Sequence, residues 1–288
     1  MAAGSNIFAG ARLDRASRRR SDARWLAERL ADASSRALLI AEDGAYVDAS
    51  SRPALVPLGS VSLLHEPVLL GMDGEGAVFA VPADGAPSPA TRRLGLREAG
   101  ASLSAEDAGL LAYGTAMVNW HRAHPHCARC GARTEIGEAG FVRSCPSCGA
   151  LHHPRTDPVV IMLVRDGDRV LLGRQPTWPE GRYSALAGFV EPGESLEEAV
   201  AREVREEASV EVEDIRYRSS QPWPFPASLM LGFQARWAGG EPATGDGELA
   251  DVRWFERSEL EAIVRGNSAF QVPPPLAIAR RLMDEWLG

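Results

Sequence analysis

Lysine is missing altogether: each of the 31 basic residues is an arginine. This excludes a Schiff-base lysine and the lysine of a phosphate-cradling P-loop. Imidazoles are scarce too. The six histidines are His65, His121, His124, His126, His152 and His153, so catalysis beyond that point must rest on carboxylates, tyrosine or a metal. No apolar run approaches the roughly 20 residues needed to cross a bilayer. The Arg-rich stretch 12–24 lacks the apolar core of a secretory signal, and a soluble, cytoplasmic protein is expected. A G-x-G-x-x-G turn is also absent, which disfavours a Rossmann oxidoreductase. With 39 acidic residues the net charge is −8 and the pI near 5.4, so the overall field does not favour tight sequence-independent binding to nucleic acid.

What remains is an ordinary globular composition. The chain has 288 residues, 45% of them hydrophobic and 24% charged, enough for about two domains at roughly 100 to 200 residues each. Residues 1–120 hold apolar runs at 37–41 and 78–81 and turn signals at Asp43-Gly44, Asp73-Gly74 and Asp84-Gly85, which predict a mixed α/β domain. A helix is expected over 104–121, capped by Ser104, with Leu110, Leu111, Tyr113, Met117 and Trp120 at helical spacing. Beyond residue 153 the apolar run 159–164, the Asp166-Gly167 turn and the run 170–172 predict a buried strand pair. Further strands are expected at 184–190, 229–237 and 252–255. A helix at 195–208 carries a capping box from Ser195 and Glu198 and an apolar stripe of Leu196, Ala199, Val200 and Val204. Pro273, Pro274 and Pro275 are expected to start a last helix with Ile278, Leu282, Met283 and Trp286.

All four cysteines sit between these regions, as Cys127-x2-Cys130 and Cys145-x2-Cys148 with fourteen residues between the pairs. Two such turns supply the four thiolates that a tetrahedral zinc prefers, and Gly131 and Gly149 follow where a knuckle needs positive φ. Two disulfides or a redox dithiol are the competing readings. Both fit less well, since cytosolic chains rarely keep disulfides and a redox motif needs one pair. Four thiolates close the coordination shell, so such a zinc is structural. Arg129, Arg133 and Arg143 are balanced by Glu135 and Glu138, which argues against a strongly basic binding face. His126 and His152 flank the module as outer or surface residues.

The richest stretch runs from Gly188 through Glu194 into the helix Ser195–Ala208, ending Arg202-Glu-Val-Arg-Glu-Glu207. Glu203, Glu206 and Glu207 stand at i, i+3 and i+4, so three carboxylates share one helical turn. Six glutamates fall between 194 and 207, against Arg202 and Arg205. A hard divalent cation such as Mg2+ or Mn2+ would neutralise the surplus and bridge phosphate oxygens. The plainer alternative is a solvated, salt-bridged surface helix, the usual fate of Glu/Arg-rich helices.

The spacing G-x5-E-x7-R-E-U-x-E-E, with Val204 as the apolar U, resembles the signature of the Nudix hydrolases. One position departs from it: Ser209 stands where the signature has glycine, at a cost of about 1 kcal/mol if the helix ends left-handed. Ser220-Gln-Pro-Trp-Pro-Phe-Pro-Ala-Ser228 resembles the SQPWPFPxS array of the NADH pyrophosphatase, or NAD-capped RNA decapping, subfamily, whose members also carry a four-cysteine ribbon. The three prolines and the aromatics Trp223 and Phe225 read as a rigid extended segment with flat apolar surface, or as a packed proline-rich loop.

The resemblance implies an α+β protein: an N-terminal mixed α/β domain (1–120), a central zinc ribbon (121–152), and a Nudix α/β/α sandwich with a mixed sheet (153–288). It implies that Glu203, Glu206 and Glu207 bind the divalent ions, that Glu207 or a neighbour helps to activate water, and that Arg202 steadies the cluster through Glu206. Glu248 falls at a further metal position, Phe189 at the base-stacking aromatic, and Ser228 and Ala279 at substrate-contacting positions. Gln221 and Trp223 belong to the specificity array, and His153 stands where relatives have tyrosine. The implied reaction is hydrolysis of the pyrophosphate of NAD(H) to nicotinamide mononucleotide and AMP, with NAD-capped RNA 5′ ends as a further substrate and a homodimer as the expected assembly. Two alternatives compete: a Nudix pyrophosphatase acting on another nucleotide such as ADP-ribose, and a catalytically silent module that binds nucleotides or RNA ends.

Overall fold

The computed structural model describes residues 6–288 except 64, 65, 84, 87, 89, 90 and 246, so His65 and Asp84 lie outside the described residues. The chain divides into two compact units, Met1–Thr156 with Trp223–Ala227, and Asp157–Pro222 with Ser228–Gly288.

In the first unit, helix α1 (Ala23–Ala31) precedes strands β1 (Arg36–Ile40), β2 (Ala45–Val47), β3 (Leu55–Pro57), β4 (Val68–Met72), β5 (Ala77–Pro82) and β6 (Arg92–Leu94). They form a sheet in the order β4-β5-β1-β2-β6, with β3 against β1 and a parallel β1–β5 pair. Helices α2 (Leu96–Ser102) and α3 (Ala105–Ala123) follow. Ser104 caps α3 as expected, accepting from the Asp107 amide at 3.0 Å. The sheet is apolar on both faces because each has a cover. Leu38, Ile40, Leu70 and Val78 pack with Leu111, Met117 and Val118 of α3, and Leu39, Leu69, Phe79 and Val81 share the other cluster with Trp25 and Leu26 of α1. Each such side chain, fully buried, contributes roughly 1.5–3 kcal/mol.

The cysteine module continues this unit as a three-stranded sheet of β7 (Glu135–Gly137), β8 (Val142–Ser144) and β9 (Leu151–His152). Arg143 is buried there. Its Nε donates to Thr134 Oγ1 at 2.7 Å, one terminal nitrogen to the Thr134 carbonyl at 3.1 Å, and the other faces His121 Nδ1 at 2.9 Å. A guanidinium can only donate, so His121 accepts at Nδ1 and donates from Nε2 to the Gly140 carbonyl, 2.9 Å away. Burial holds this imidazole neutral, with its pKa pushed down to about 4.

The second unit contains β10 (Asp157–Asp166), β11 (Arg169–Arg174), β12 (Leu186–Phe189), α4 (Leu196–Ala208), β13 (Glu211–Trp223), β14 (Ser228–Gly239), β15 (Asp251–Glu256), α5 (Arg257–Val264) and α6 (Ile278–Leu287). The sheet runs β13-β14-β10-β11-β15, with β12 pairing β10; β10 is parallel to β14 and antiparallel to β11 and β12. Alternate residues of β10 enter separate cores. Val160, Met162 and Val164 pack with Ala199, Val200 and Val204 of α4, while Ile161 and Leu163 pack with Leu260 of α5 and Leu282 and Met283 of α6. A strand covered by helices on both faces reads as an unbroken apolar run, hence 159–164. The architecture is α+β, with an α/β/α sandwich around a mixed sheet in this unit.

Three local expectations need correction. The 184–190 strand is shorter, Leu186–Phe189, with Ser184 only bridging Gly173. The extended proline segment stops at Trp223; residues 224–227 form a turn, because the φ that proline fixes suits turns as well as extended chain. The last helix starts at Ile278, three residues after the final proline, following a turn in which the Ala277 amide reaches the Pro274 carbonyl.

Candidate active site

Helix α4 presents the acidic cluster, and its local design is legible in its ends. The Ser195 hydroxyl accepts from the Glu198 amide at 3.2 Å and the Glu198 carboxylate accepts from the Ser195 amide at 2.7 Å, a complete capping box. At the other end Ser209 adopts φ 57° and ψ 26°, the left-handed geometry that glycine takes without penalty. The amphipathic stripe of the helix turns Glu203 and Glu207 inward. They are 9% and 3% exposed, which is exceptional for glutamate and demands compensation.

Arg202 supplies much of it. Its Nε and Nη2 grip Glu194 at 2.6 and 2.9 Å, Nη1 reaches Glu203 at 2.8 Å and Glu206 at 2.9 Å, and Nη2 also donates to the Phe189 carbonyl at 2.9 Å. One guanidinium thus ties the turn before the helix to the helix face. The Arg202 pairing, aided by a backbone amide, holds the Glu194 carboxyl at about 2 and raises the Arg202 pKa further. Arg205 does not join the cluster; it pairs with Glu211 at 2.8 Å.

Glu203 behaves differently. Burial pushes its carboxyl above the usual range, Arg202 opposes that shift, and repulsion from Glu206 and Glu248 adds to it. Glu207 accepts from the Ala187 amide of β12 at 3.3 Å. Gly188, next along β12, leaves the space that the Glu203 carboxylate fills: a Cβ there would lie 1.9 Å from the Glu203 Cδ. Glu248 approaches on a segment anchored to α4. The Ala243 amide donates to the Ala208 carbonyl at 3.1 Å, Gly245 packs against the Glu206 carbonyl so closely that a Cβ would meet it at 2.1 Å, and Leu249 is in the core. Two buried carboxylates with the exposed Glu206 and Glu248, which repel Glu203, are oxygen donors of the kind a hard divalent cation takes.

The remaining positions fall as follows. Phe189 is 59% exposed at the end of β12. Gln221 is buried; its amide nitrogen donates to the Leu276 carbonyl at 2.8 Å and its oxygen accepts from the Ile278 amide at 2.8 Å, so it caps the start of α6 from outside. Ala279, one residue on, has its side chain in the core. Ser228 opens β14 opposite Asp157, Trp223 packs within the first unit, and His153 is exposed just after β9. Glu194 as the chief partner of Arg202, and Gly188 as the cradle of Glu203, carry more of the geometry than sequence alone assigns them; their fixed spacing to Arg202 was the available signal.

The four cysteine sulfurs lie within 4.8 Å of one another, with Cys127–Cys148 at 3.6 Å and Cys130–Cys145 at 3.5 Å. Disulfides need about 2.05 Å, whereas four thiolates at about 2.3 Å from a tetrahedral zinc stand roughly 3.8 Å apart. Both knuckles repeat one pattern. The Gly131 amide donates to the Cys127 carbonyl and the Gly149 amide to the Cys145 carbonyl, each at 2.9 Å, with φ of 78° and 72° at the glycines. His152 Nε2 lies 3.3 Å from Cys127 Sγ. Burial works against the Cys127 thiolate, but the His152 ring and backbone amides outweigh it and lower the pKa.

Among the described residues no helix is long and apolar enough to cross a membrane. Family models match three consecutive segments: an NADH pyrophosphatase-like rudimentary NUDIX domain at 27–120, an NADH pyrophosphatase zinc ribbon domain at 122–152 and a NUDIX domain at 154–273. The chain is 43% identical over 223 residues to the "NAD-capped RNA hydrolase NudC" of Stutzerimonas stutzeri, covering 76% of this chain and 80% of that one. It is 43% identical over 197 residues to the human "NAD-capped RNA hydrolase NUDT12", covering 64% of this chain but 43% of that longer protein. It is 42% identical over 205 residues to the human "NAD(P)H pyrophosphatase NUDT13, mitochondrial", covering 67% of this chain and 58% of that one. A solved NUDIX hydrolase from Nitrosomonas europaea aligns with a TM-score of 0.42 at 26% identity, covering 51% of this chain and 96% of that one. The NUDIX match implies use of divalent metal, and the ribbon match implies zinc, which the four sulfurs fit. The chain belongs to the Nudix hydrolases, in the branch that carries the NADH pyrophosphatase zinc ribbon.

Proposed function

We propose that this enzyme hydrolyses the pyrophosphate bond of NAD(H), giving AMP and nicotinamide mononucleotide, and that NAD-capped RNA 5′ ends enter the same site. The observation that carries this reading is the Arg202 clamp, which binds Glu194, the buried Glu203 and the exposed Glu206 together and also holds the Phe189 carbonyl. The names of the relatives supply the substrate class.

In this reading Glu203, Glu206 and Glu207, with Glu248, hold Mg2+ or Mn2+. A bound divalent cation supplies charge neutralisation for the pyrophosphate oxygens and a more acidic water. The protein supplies the placement. Arg202 fixes the carboxylate spacing through its contacts to Glu194, Glu203 and Glu206, and Glu207 takes up the proton of the attacking water. Phe189 offers its face to a base of the dinucleotide. Ser228 and Ala279 contact the substrate, Ala279 through its backbone because its methyl is buried. Gln221 acts by holding the loop before α6, Trp223 belongs to the specificity array by resemblance, and the His153 imidazole offers a stacking face where relatives have tyrosine. We assign a homodimer from the family resemblance alone.

Product analysis tests the proposal. Incubation of NADH, NAD+, NAD-capped RNA and ADP-ribose in parallel with Mg2+ or Mn2+ should yield AMP and the mononucleotide from NADH and NAD+, and the mononucleotide with 5′-monophosphate RNA from NAD-capped RNA, at the highest kcat/KM. Preferential turnover of ADP-ribose, with NADH left intact, would overturn it.

A further inference from the structure

Two strands of the second unit are joined by a loop that belongs by packing to the first. Residues Trp223–Ala227 leave β13, cluster with the N-terminal unit and return as β14. Inside that unit Phe8 is 3% exposed and meets both aromatic rings edge-on, with centroids 5.9 Å from Trp223 and 6.0 Å from Phe225. Trp223 and Phe225 meet each other at 5.0 Å. Arg97, on α2, lies over both: its guanidinium carbon is 4.4 Å from the Phe225 centroid and 5.5 Å from that of Trp223. Phe225 also packs against the core cluster formed by the sheet and α3. Phe8 is itself tightly seated, because a Cβ on Gly100 of α2 would come within 2.7 Å of its ring. Two side chains from distant parts of the sequence, Phe8 and Arg97, therefore close on the aromatic rings of one short turn.

The turn matters because of where it is attached. β10 and β14 run parallel from Asp157 opposite Ser228, and β12 ends at Phe189 opposite Val159, which in turn faces Met230. The start of β14 and the end of β12 thus lie at one edge of the sheet, two strand spacings or about 10 Å apart. Residues 223–227 lead directly into that edge, and Gln221, just before them, holds the chain at the start of α6.

We propose that Phe8 and Arg97 are positioning residues for the reaction: they fix the Trp223–Ala227 turn and so the course on which the chain enters β14 at Ser228. This rests on the assignment of NAD(H) as substrate. Neither side chain is assigned to touch substrate or metal, so loss of either should alter binding more than the chemical step. An edge-on aromatic pair and a cation over a ring each hold with energies of order 1 kcal/mol. Loosening the turn should therefore raise KM by about three- to tenfold.

The test uses the full-length chain with NADH and Mg2+. Arg97 is exposed, so Arg97→Ala should fold; Phe8→Leu is the second variant, with circular dichroism confirming the fold of each. Both should raise KM for NADH by about three- to tenfold with kcat within about twofold of wild type, and hydrogen exchange at the 225 and 227 amides should quicken. Arg97→Lys, which keeps a cation above the rings, should restore most of the wild-type KM. Folded variants with unchanged KM would overturn the proposal and leave the assigned activity standing. A fall in kcat with no change in KM would also overturn it. If the wild-type protein itself fails to turn over NADH, the substrate assignment falls and this proposal falls with it.

Discussion

A single missing methyl group does as much for the acidic cluster as any charge in it. Gly188 lies in β12 with the Glu203 carboxylate in the space its own Cβ would occupy, at 1.9 Å from Glu203 Cδ. Because Glu203 is held from the other side by Arg202, it can retreat only by breaking that bond. Gly188→Ala should therefore cost at least about 100-fold in turnover, the usual penalty for moving a catalytic group by an ångström, while the protein stays folded by circular dichroism. Ser209 makes the opposite point. It holds φ 57° without glycine's freedom, so Ser209→Gly should raise stability by about 1 kcal/mol in chemical denaturation. A neutral or negative change would mean that the serine side chain returns more than the strain removes. Neither residue carries a charge, yet one makes the space that the Glu203 carboxylate fills and the other ends the helix that carries it.

At the scale of elements, α4 is held by its cap and by the Arg202–Glu194 bridge from the preceding turn. The folded Glu194 pKa is depressed from 4.5 to about 2, so its pairing stabilises the fold fully above the ordinary value and is lost as pH falls toward 2. Glu194→Gln should accordingly flatten the acid limb of the stability curve between about pH 4.5 and 2, measured by melting temperature against pH; an unaltered slope would mean that the bridge contributes nothing there. The ribbon is held by its four sulfurs. Metal analysis should find about one zinc per chain, and chelation should release four thiols to a thiol reagent as the first unit loses stability. Four reactive thiols in untreated protein would contradict the zinc reading.

The same elements explain what could be read from sequence. The capping box, the two knuckles and the Asp166-Gly167 hairpin are local patterns, and each stands where the residue spacing put it. Helix α5 and most of β13 were not anticipated. β13 is largely exposed along Glu211–Tyr217, so it carries no apolar alternation, and α5 is short with only Leu260 and Ile263 buried.

For the whole molecule, the order of folded regions was legible but the crossing of Trp223–Ala227 into the first unit was not, because Phe8 and Arg97 are more than a hundred residues away in sequence. Gln221 is similar: its buried amide serves the backbone before α6, a partner that no local pattern announces. The grouping of carboxylates on α4 was visible; the burial of Glu203 and Glu207, which makes their charge costly, emerged only from packing against β12. That burial is the centre of the account, and Glu207 is its most deeply buried member. The direct measurement is steady-state NADH hydrolysis with Mg2+ by wild type and Glu207→Gln, matched for fold and zinc content. Turnover should fall by roughly 100-fold or more in the variant, whereas equal rates in the two proteins would contradict the catalytic role of the cluster.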